Sequence, residues 1–133
     1  MMTSVLLVED DPATAELLTW ALERHGYQVL EARDGKQALD FLRASDVPLI
    51  VLLDARLPEM DGLSLLTRVG ADSWLVTTHA YVLMSTPYEE RSVCLHQIPF
   101  PAPVDLLSKP FGLEQLWRVL SRATRRIGAS SQC

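Results

Sequence analysis

The chain has 133 residues, of which 48% are hydrophobic and 22% charged, and its formal net charge is −5. This length is typical of one domain, and the composition excludes a disordered chain, a collagen-like repeat and a coiled coil. The acidic balance argues against direct nucleic acid binding, which requires a basic face. Residues 1–61 carry 12 acidic and 5 basic side chains, whereas residues 62–133 carry 5 and 7. The uneven charge raises the question of whether some of the acids form one site.

The chain shows no sign of secretion or of membrane insertion. Its first residues carry no basic side chain ahead of an apolar stretch, as a signal peptide would. The longest apolar run, residues 49–53, is far shorter than the roughly 20 residues of a membrane span. Cys94 and Cys133 lack metal or redox spacing and are expected to be free thiols. We therefore expect a cytoplasmic protein with no membrane partner.

In the first part of the chain, short apolar runs alternate with helical patterns. The predicted elements are strands at residues 5–8, 27–30 and 49–53, a helix from the cap Asp11 to Gly26, and a helix from the cap Asp34 to Ala44. Ala15, Leu18, Leu22 and His25 share one face of the first helix, which we expect to face the core. Residues 49–53 are wholly apolar, which favours a central parallel strand covered on both sides.

The same alternation continues to the end of the chain. It predicts a helix at residues 63–69, a strand at 81–84, a helix from the capping box Thr86, Pro87 and Glu89 to about Gln97, a strand at 104–108 and a helix from Leu113 to about Ile127. Prolines at 99, 101 and 103 forbid helix in that stretch. We expect a domain over residues 1–127 and a frayed tail over residues 128–133. Five such units predict an α/β fold with a doubly wound parallel sheet.

Ligands of such sheets bind at the carboxyl ends of the strands, where this chain concentrates polar side chains. Glu9 and Asp10 follow the first strand, Asp54 the third, Ser85 the fourth and Lys109 the fifth. Three carboxylates cannot stay ionised and close together without a cation, and an all-oxygen site favours Mg²⁺. A hydroxyl and an ammonium at the same rim suit a phosphoryl group. A nucleotide site is not favoured, because no glycine-rich loop follows the first strand.

Four segments carry a resemblance to a known family. They are residues 5–11 (VLLVEDD), residues 54–62 (DARLPEMDG), Ser85-Thr86 and Lys109-Pro110-Phe111. In this order they resemble the receiver domain of two-component response regulators. The resemblance covers about residues 4–126 and implies a flavodoxin-like (βα)5 fold with strand order 2-1-3-4-5. It also implies transfer of a phosphoryl group to an aspartate from the phospho-His of a histidine kinase or phosphotransfer protein.

The resemblance assigns a role to each residue at the strand ends. Asp54 matches the phosphoacceptor, Ser85 the switch hydroxyl and Lys109 the phosphoryl-binding lysine. The matches to the metal site are Asp10, Asp54, the Arg56 backbone carbonyl and, through water, Glu9; Mg²⁺ is the implied ion, with Mn²⁺ as a substitute. Pro58 and Gly62 match the loop that shapes the acceptor site.

The resemblance also implies partners and limits. We expect a sensor kinase and a downstream protein or effector domain; homodimerisation stays open. We expect a receiver that is either free-standing or cut from a longer protein, since the given residues leave no room for an effector domain after the last helix. Catalysis is expected to be limited to the chain's own phosphorylation and slow dephosphorylation. One alternative is a docking or dimerisation module that works without phosphorylation. A phosphatase is the other, but it would need an acid where Arg56 stands.

The sequence departs from the family pattern beyond the acceptor site. Leu106 occupies the position of the usual aromatic switch residue, and the proline-rich residues 99–103 replace the usual turn into the fifth strand. We therefore predict normal phosphorylation of Asp54 without an aromatic switch. The remaining residues have structural explanations. Asp11 and Asp61 are interpreted as helix caps, His25, His79 and His96 as structural or solvated, and the three tryptophans as core or surface packing. Arg118, Arg122, Arg125 and Arg126 are interpreted as a solvated helix face. That arginine cluster could instead attract an acidic partner or nucleic acid.

Overall fold

A parallel sheet with helices on both faces positions the strand ends. The computed structural model describes residues 3–57, 59–86 and 100–131, with side chains up to Ile127. Its strands are β1 (Ser4–Val8), β2 (Gln28–Ala32), β3 (Leu49–Asp54), β4 (Ala80–Ser85) and β5 (Asp105–Ser108). Its helices are α1 (Pro12–Arg24), α2 (Gly35–Ala44), α3 (Gly62–Gly70), α4 (Ser73–Thr78) and α5 (Leu113–Ser131). The strand order β2-β1-β3-β4-β5, with every pairing parallel, confirms the predicted flavodoxin-like fold.

The central strand β3 divides the core into two layers. All six of its residues are buried, as an apolar strand covered on both faces requires. Leu49, Val51 and Leu53 join a cluster with the buried residues of α2 and α3, whereas Ile50 and Leu52 join a cluster with those of α1 and α5. This alternation follows the period of two along a strand. It anchors Asp54, the last residue of β3, between two packed layers.

Aspartates cap the helices at their amino ends. Asp11 accepts a hydrogen bond from the Thr14 backbone N–H at 3.1 Å, and Asp34 accepts one from Gln37 at 2.8 Å. Asp61 caps α3 in the same way, through the Ser64 N–H at 2.8 Å. Such caps satisfy donors that the first helical turn leaves open. The predicted cap roles of these three residues are confirmed.

The structure corrects several predicted elements. His25 does not face the core: it is exposed and ends α1, where its N–H bonds to the last turn. Helix α4 was not predicted; Asp72 caps it, and burial of Leu75 and Val76 offsets the weak helix propensity of its β-branched residues. Helix α5 continues to Ser131, four residues beyond the predicted end at about Ile127.

Other differences are small or lie outside the described residues. Strand β2 begins one residue later than predicted and ends at Ala32, and β5 begins at Asp105. Apart from its cap Thr86, the predicted helix that ends at about Gln97 falls outside the described residues, as do Pro58, Pro99, His96, Cys94 and Cys133. No helix in the described parts of the chain has both the length and the apolarity to span a membrane.

Candidate functional site

Three carboxylates meet at the carboxyl ends of the central strands. Strands β1 and β3 are neighbours, with Val8 opposite Leu53, so the residues that follow them lie side by side. Glu9, Asp10 and Asp54 each place an oxygen within 4.8 Å of the other two. Glu9 and Asp54 are buried, and Asp10 is exposed. At this separation two ionised carboxylates repel by about 3 kcal/mol at an effective dielectric of about 20. The cluster therefore requires positive charge.

Lys109 supplies one positive charge. Its Nζ lies 3.0 Å from Asp54 Oδ2. The register of β4 and β5 brings it there, since Ser85 lies opposite Ser108 and the Lys109 N–H donates to the Ser85 carbonyl at 2.8 Å. The other Asp54 oxygen, Oδ1, accepts the Arg56 backbone N–H at 2.9 Å. Both oxygens of Asp54 are thus held by donors of this chain.

The single positive charge of Lys109 does not neutralise three carboxylates. The surroundings of Glu9 show that the site still lacks positive charge. Its Oε1 accepts the Asp11 N–H at 3.2 Å, but its buried Oε2 has no hydrogen-bond partner. Burial, together with the neighbouring Asp54 carboxylate, raises the pKa of Glu9 to about 7. An unsatisfied carboxylate oxygen beside two further carboxylates fits a hard divalent cation, which prefers oxygen ligands. The side chains present therefore fit the predicted Mg²⁺ site.

Two small residues complete the surroundings of Asp54. Ser85 is buried at the end of β4, one residue beyond Met84, which pairs with Asp54. Gly62 lies so close to the acceptor strand that a Cβ there would be 2.6 Å from the Asp54 carbonyl oxygen. Its N–H donates to the Ala55 carbonyl at 3.1 Å, which fixes the start of α3 beside the site. The structure thus places Glu9, Asp10, Asp54 and Lys109 together, with Ser85 at the end of the neighbouring strand. The Arg56 side chain is exposed, and its backbone N–H is the group that contacts Asp54.

The remaining polar residues divide between structure and surface. His79 is buried: its Nδ1 accepts the Leu49 N–H at 3.0 Å and its Nε2 lies 3.1 Å from the Leu42 carbonyl. His25 stacks on Trp117 with ring centroids 3.9 Å apart. Both histidines therefore pack against the fold, as predicted. Trp20 and Trp74, by contrast, are exposed.

The sequence analysis missed an ion cluster between β5 and α5. Asp105 is buried and lies 3.3 Å from Arg122 and 2.8 Å from Arg126. Two of the four clustered arginines are thus bound within the fold rather than forming a purely solvated face. A signal was present in the sequence. Asp105 lies two residues before the inward Leu107 and so shares its face of the strand, and the two arginines are spaced i, i+4 on one helix face.

Comparison with known proteins agrees with this geometry. A family model described as the response regulator receiver domain matches residues 5–121. The response regulator MprA of Mycolicibacterium vanbaalenii is 34% identical over 126 residues, which is 95% of this chain and 52% of that protein. RpaA of Synechocystis, described as a DNA-binding dual master transcriptional regulator, is 33% identical over 129 residues, 95% of this chain and 52% of that protein. The chain thus spans about half the length of these relatives.

Solved structures agree as well. The receiver domain of the sensor histidine kinase PA1611 from Pseudomonas aeruginosa superposes with a TM-score of 0.77 and 29% identity, covering 92% of this chain and 98% of that one. That structure is described as holding a magnesium ion in its active site cleft. Family match, fold and the order of the site residues point to one assignment. The chain belongs to the response regulator receiver domain family of two-component signalling.

Proposed function

We propose that the chain accepts a phosphoryl group on Asp54 from the phospho-His of a histidine kinase or phosphotransfer protein, in a Mg²⁺-dependent reaction. The observation that carries this proposal is the setting of Asp54. Its carboxylate is buried at a strand end, bonded to an ammonium and a backbone N–H, and adjacent to two further carboxylates. A carboxylate used only as a helix cap or in an ion pair would not need the two extra acids.

The reaction is a displacement at phosphorus. An oxygen of the Asp54 carboxylate forms the new O–P bond, the P–N bond to the donor imidazole breaks, and the electron pair of that bond stays on the imidazole nitrogen. The product is an aspartyl phosphate. Lys109 then pairs with an oxygen of the phosphoryl group, since its ammonium already lies 3.0 Å from Asp54. The Ser85 hydroxyl is the proposed second donor to that group.

Glu9, Asp10, Asp54 and the Arg56 carbonyl are the proposed ligands of the metal. Bound there, Mg²⁺ or Mn²⁺ would offset the charge of the carboxylates and of the incoming phosphoryl oxygens. The support from this chain is the unpartnered Glu9 Oε2 and the spacing of the three acids. The support from elsewhere is the magnesium ion described for the PA1611 receiver domain.

The proposed output is a change in the binding of a downstream protein or effector domain. Direct nucleic acid binding by this chain is not part of the proposal, because its net charge is −5. The name of RpaA includes DNA binding, but the match covers 52% of that protein. Leu106 is 45% exposed on β5 and carries no ring, so signalling without an aromatic switch stays a prediction.

Intact mass measurement after incubation with acetyl phosphate and Mg²⁺ tests the proposal. We expect one added phosphoryl group on the wild type, none on Asp54→Asn, and none when EDTA replaces Mg²⁺. Asp40→Asn is the matched control, because Asp40 is an exposed carboxylate on α2 outside the site, and it should be labelled like the wild type. An unlabelled wild type would favour the docking module that works without phosphorylation. A labelled Asp54→Asn variant would show that another residue is the phosphoacceptor.

A further inference from the structure

A second concave site lies at the opposite end of the sheet from Asp54. It is a cleft of about 360 Å³ between the end of α4, the start of β4, residues 100–103 and the last turns of α5. Its floor includes the buried Tyr81 and His79, and its rim includes the exposed Thr77 and Pro101. The volume is in the range of small-molecule sites, which are about 300–1,000 Å³. Nothing in the proposed phosphoryl chemistry uses this cleft.

Two segments that depart from the expected pattern form its walls. Helix α4 was not predicted, and its last residues line one side. The proline-rich stretch that replaces the usual turn into β5 lines the other, with Phe100 packed edge-on against Tyr81 at 5.2 Å between ring centroids. Proline fixes the backbone of this wall, so little conformational entropy remains to be lost on binding. The cleft is therefore largely pre-formed.

The polar groups of the cleft are mostly satisfied, and one cation remains. The Tyr81 hydroxyl donates to the Leu75 carbonyl at 2.9 Å. Both ring nitrogens of His79 contact backbone, and burial lowers the pKa of this histidine, so the ring is neutral at pH 7. Among the described residues that line the cleft, Arg126 is then the only charged side chain.

Arg126 keeps binding capacity for an anion. A guanidinium has five N–H groups, and three contacts of Arg126 are accounted for: Nη2 lies 3.1 Å from Asp105 Oδ1, and Nη1 lies 2.8 Å from Asp105 Oδ2 and 3.3 Å from the Pro103 carbonyl oxygen. Asp105 is one negative charge shared by two arginines, because Arg122 also contacts it. The cluster thus has an excess of one positive charge at the mouth of an apolar cleft.

We propose that this cleft binds a small molecule with an apolar, ring-sized body and a single carboxylate, the body packing against the half-buried Phe100 and Ala102 and the carboxylate pairing with Arg126. The positive charge of Arg126 favours a carboxylate, and the apolar walls of the cleft favour an apolar body. The proposal is independent of Asp54 and of its phosphorylation.

NMR titration of the full chain with 1-naphthaleneacetate tests the proposal, with 1-naphthaleneacetamide as the uncharged probe of the same body. We expect saturable backbone shifts at Thr78, Ala80 and Ala102 with a dissociation constant of about 1 mM, which is ordinary efficiency for a ligand of this size. The amide should bind roughly fivefold more weakly, the effect of losing one partly exposed ion pair. Shifts clustered away from the cleft, or no saturable shifts, would overturn the proposal.

Variants separate the two parts of the site. Arg126→Gln should remove the preference for the acid over the amide, and Arg126→Lys should retain part of it. Arg125→Gln is the matched control, because Arg125 is exposed on the same helix and does not line the cleft. Ala102→Phe should fill the cleft and abolish binding of both probes while spectra elsewhere stay native. Equal affinity of the wild type for acid and amide, or a preference that survives in Arg126→Gln, would contradict the role of Arg126.

Discussion

Gly62 shows how one missing side chain shapes the acceptor site. The backbone of β3 approaches it so closely that a Cβ would lie 2.6 Å from the Asp54 carbonyl oxygen and 3.0 Å from Ala55 Cα. Both neighbours are backbone atoms, one of the last residue of the buried strand β3 and one of the residue that follows it, so they cannot rotate away as a flexible side chain would. Gly62 belongs to the segment that resembles the receiver family, and the close approach of the Asp54 and Ala55 backbone explains why a glycine stands there. Its backbone conformation does not require glycine, because its φ is not in the left-handed region.

Gly62→Ala should consequently destabilise the fold by about 1–3 kcal/mol, the usual cost of overpacking, and should slow labelling of Asp54 because the strand end must shift. Urea unfolding measures the first effect and the mass assay the second. Gly112→Ala is the matched control: a Cβ there would meet only Gln115 Oε1, at 3.8 Å. If Gly62→Ala were as stable as Gly112→Ala, the backbone at Asp54 and Ala55 would be able to shift without loss of folding free energy, which would contradict the prediction.

At the scale of elements, Asp105 joins the edge strand β5 to α5. The carboxylate is buried, whereas the Arg122 and Arg126 side chains are 52% and 33% exposed. Strand β5 has only four residues, so its sheet pairing alone holds it weakly. The ion cluster adds a link to a helix whose buried residues, including Leu116 and Leu120, belong to the core.

Asp105→Asn should destabilise the protein by about 1–2 kcal/mol. This is less than the 3–5 kcal/mol typical of breaking a fully buried pair, because both arginines can turn to water. Urea unfolding at low and at high salt measures it, and part of the difference should disappear at high salt. Asp40→Asn, which removes an exposed carboxylate on α2, should leave stability within about 0.5 kcal/mol of the wild type. Equal stability of the two variants would contradict a linking role for Asp105.

For the whole molecule, His79 couples stability to pH. It joins three elements, since it follows α4, receives the N–H of the first residue of β3 and contacts the Leu42 carbonyl of α2. An acceptor Nδ1 and a donor Nε2 require the neutral ring. Burial lowers the pKa of His79 below the ordinary value of 6.5. Between the depressed pKa of the folded chain and the ordinary pKa of the unfolded chain, the unfolded chain therefore binds a proton that the folded chain excludes.

The sign follows from this difference. His79 contributes stability that is fully present above pH 6.5 and is lost as the pH falls toward its depressed folded pKa, at up to about 1.4 kcal/mol per pH unit. Urea unfolding between pH 7.5 and 5 should show a steeper loss for the wild type than for His79→Asn, whose side chain can still accept the Leu49 N–H. Parallel curves for the two proteins would contradict the role of His79.

Features that depend on interactions within a few residues of the chain could be predicted from the sequence. The caps Asp11, Asp34 and Asp61 and the apolar strand β3 depend on neighbouring residues, and the order of strands and helices then placed Glu9, Asp54 and Lys109 at one rim by the rules of parallel sheets. This was enough to predict a doubly wound parallel sheet with these side chains at one rim, whereas the strand order 2-1-3-4-5 came from the resemblance to receiver domains.

Only the tertiary structure decided the features that depend on contacts between distant segments. Helix α4 forms because Leu75 and Val76 find a core to pack against, not because its residues favour a helix. His25 leaves the core face because α1 ends there and Trp117 of α5 offers a stacking surface. The Asp105 cluster and the cleft beside Arg126 arise where α5 returns to β5, and the raised pKa of Glu9 arises from burial beside Asp54. The sequence alone determined which groups the chain could bring together, because the periodicity of strands and helices depends on neighbouring residues. Packing between distant segments decided how deeply those groups are buried and which partners they contact.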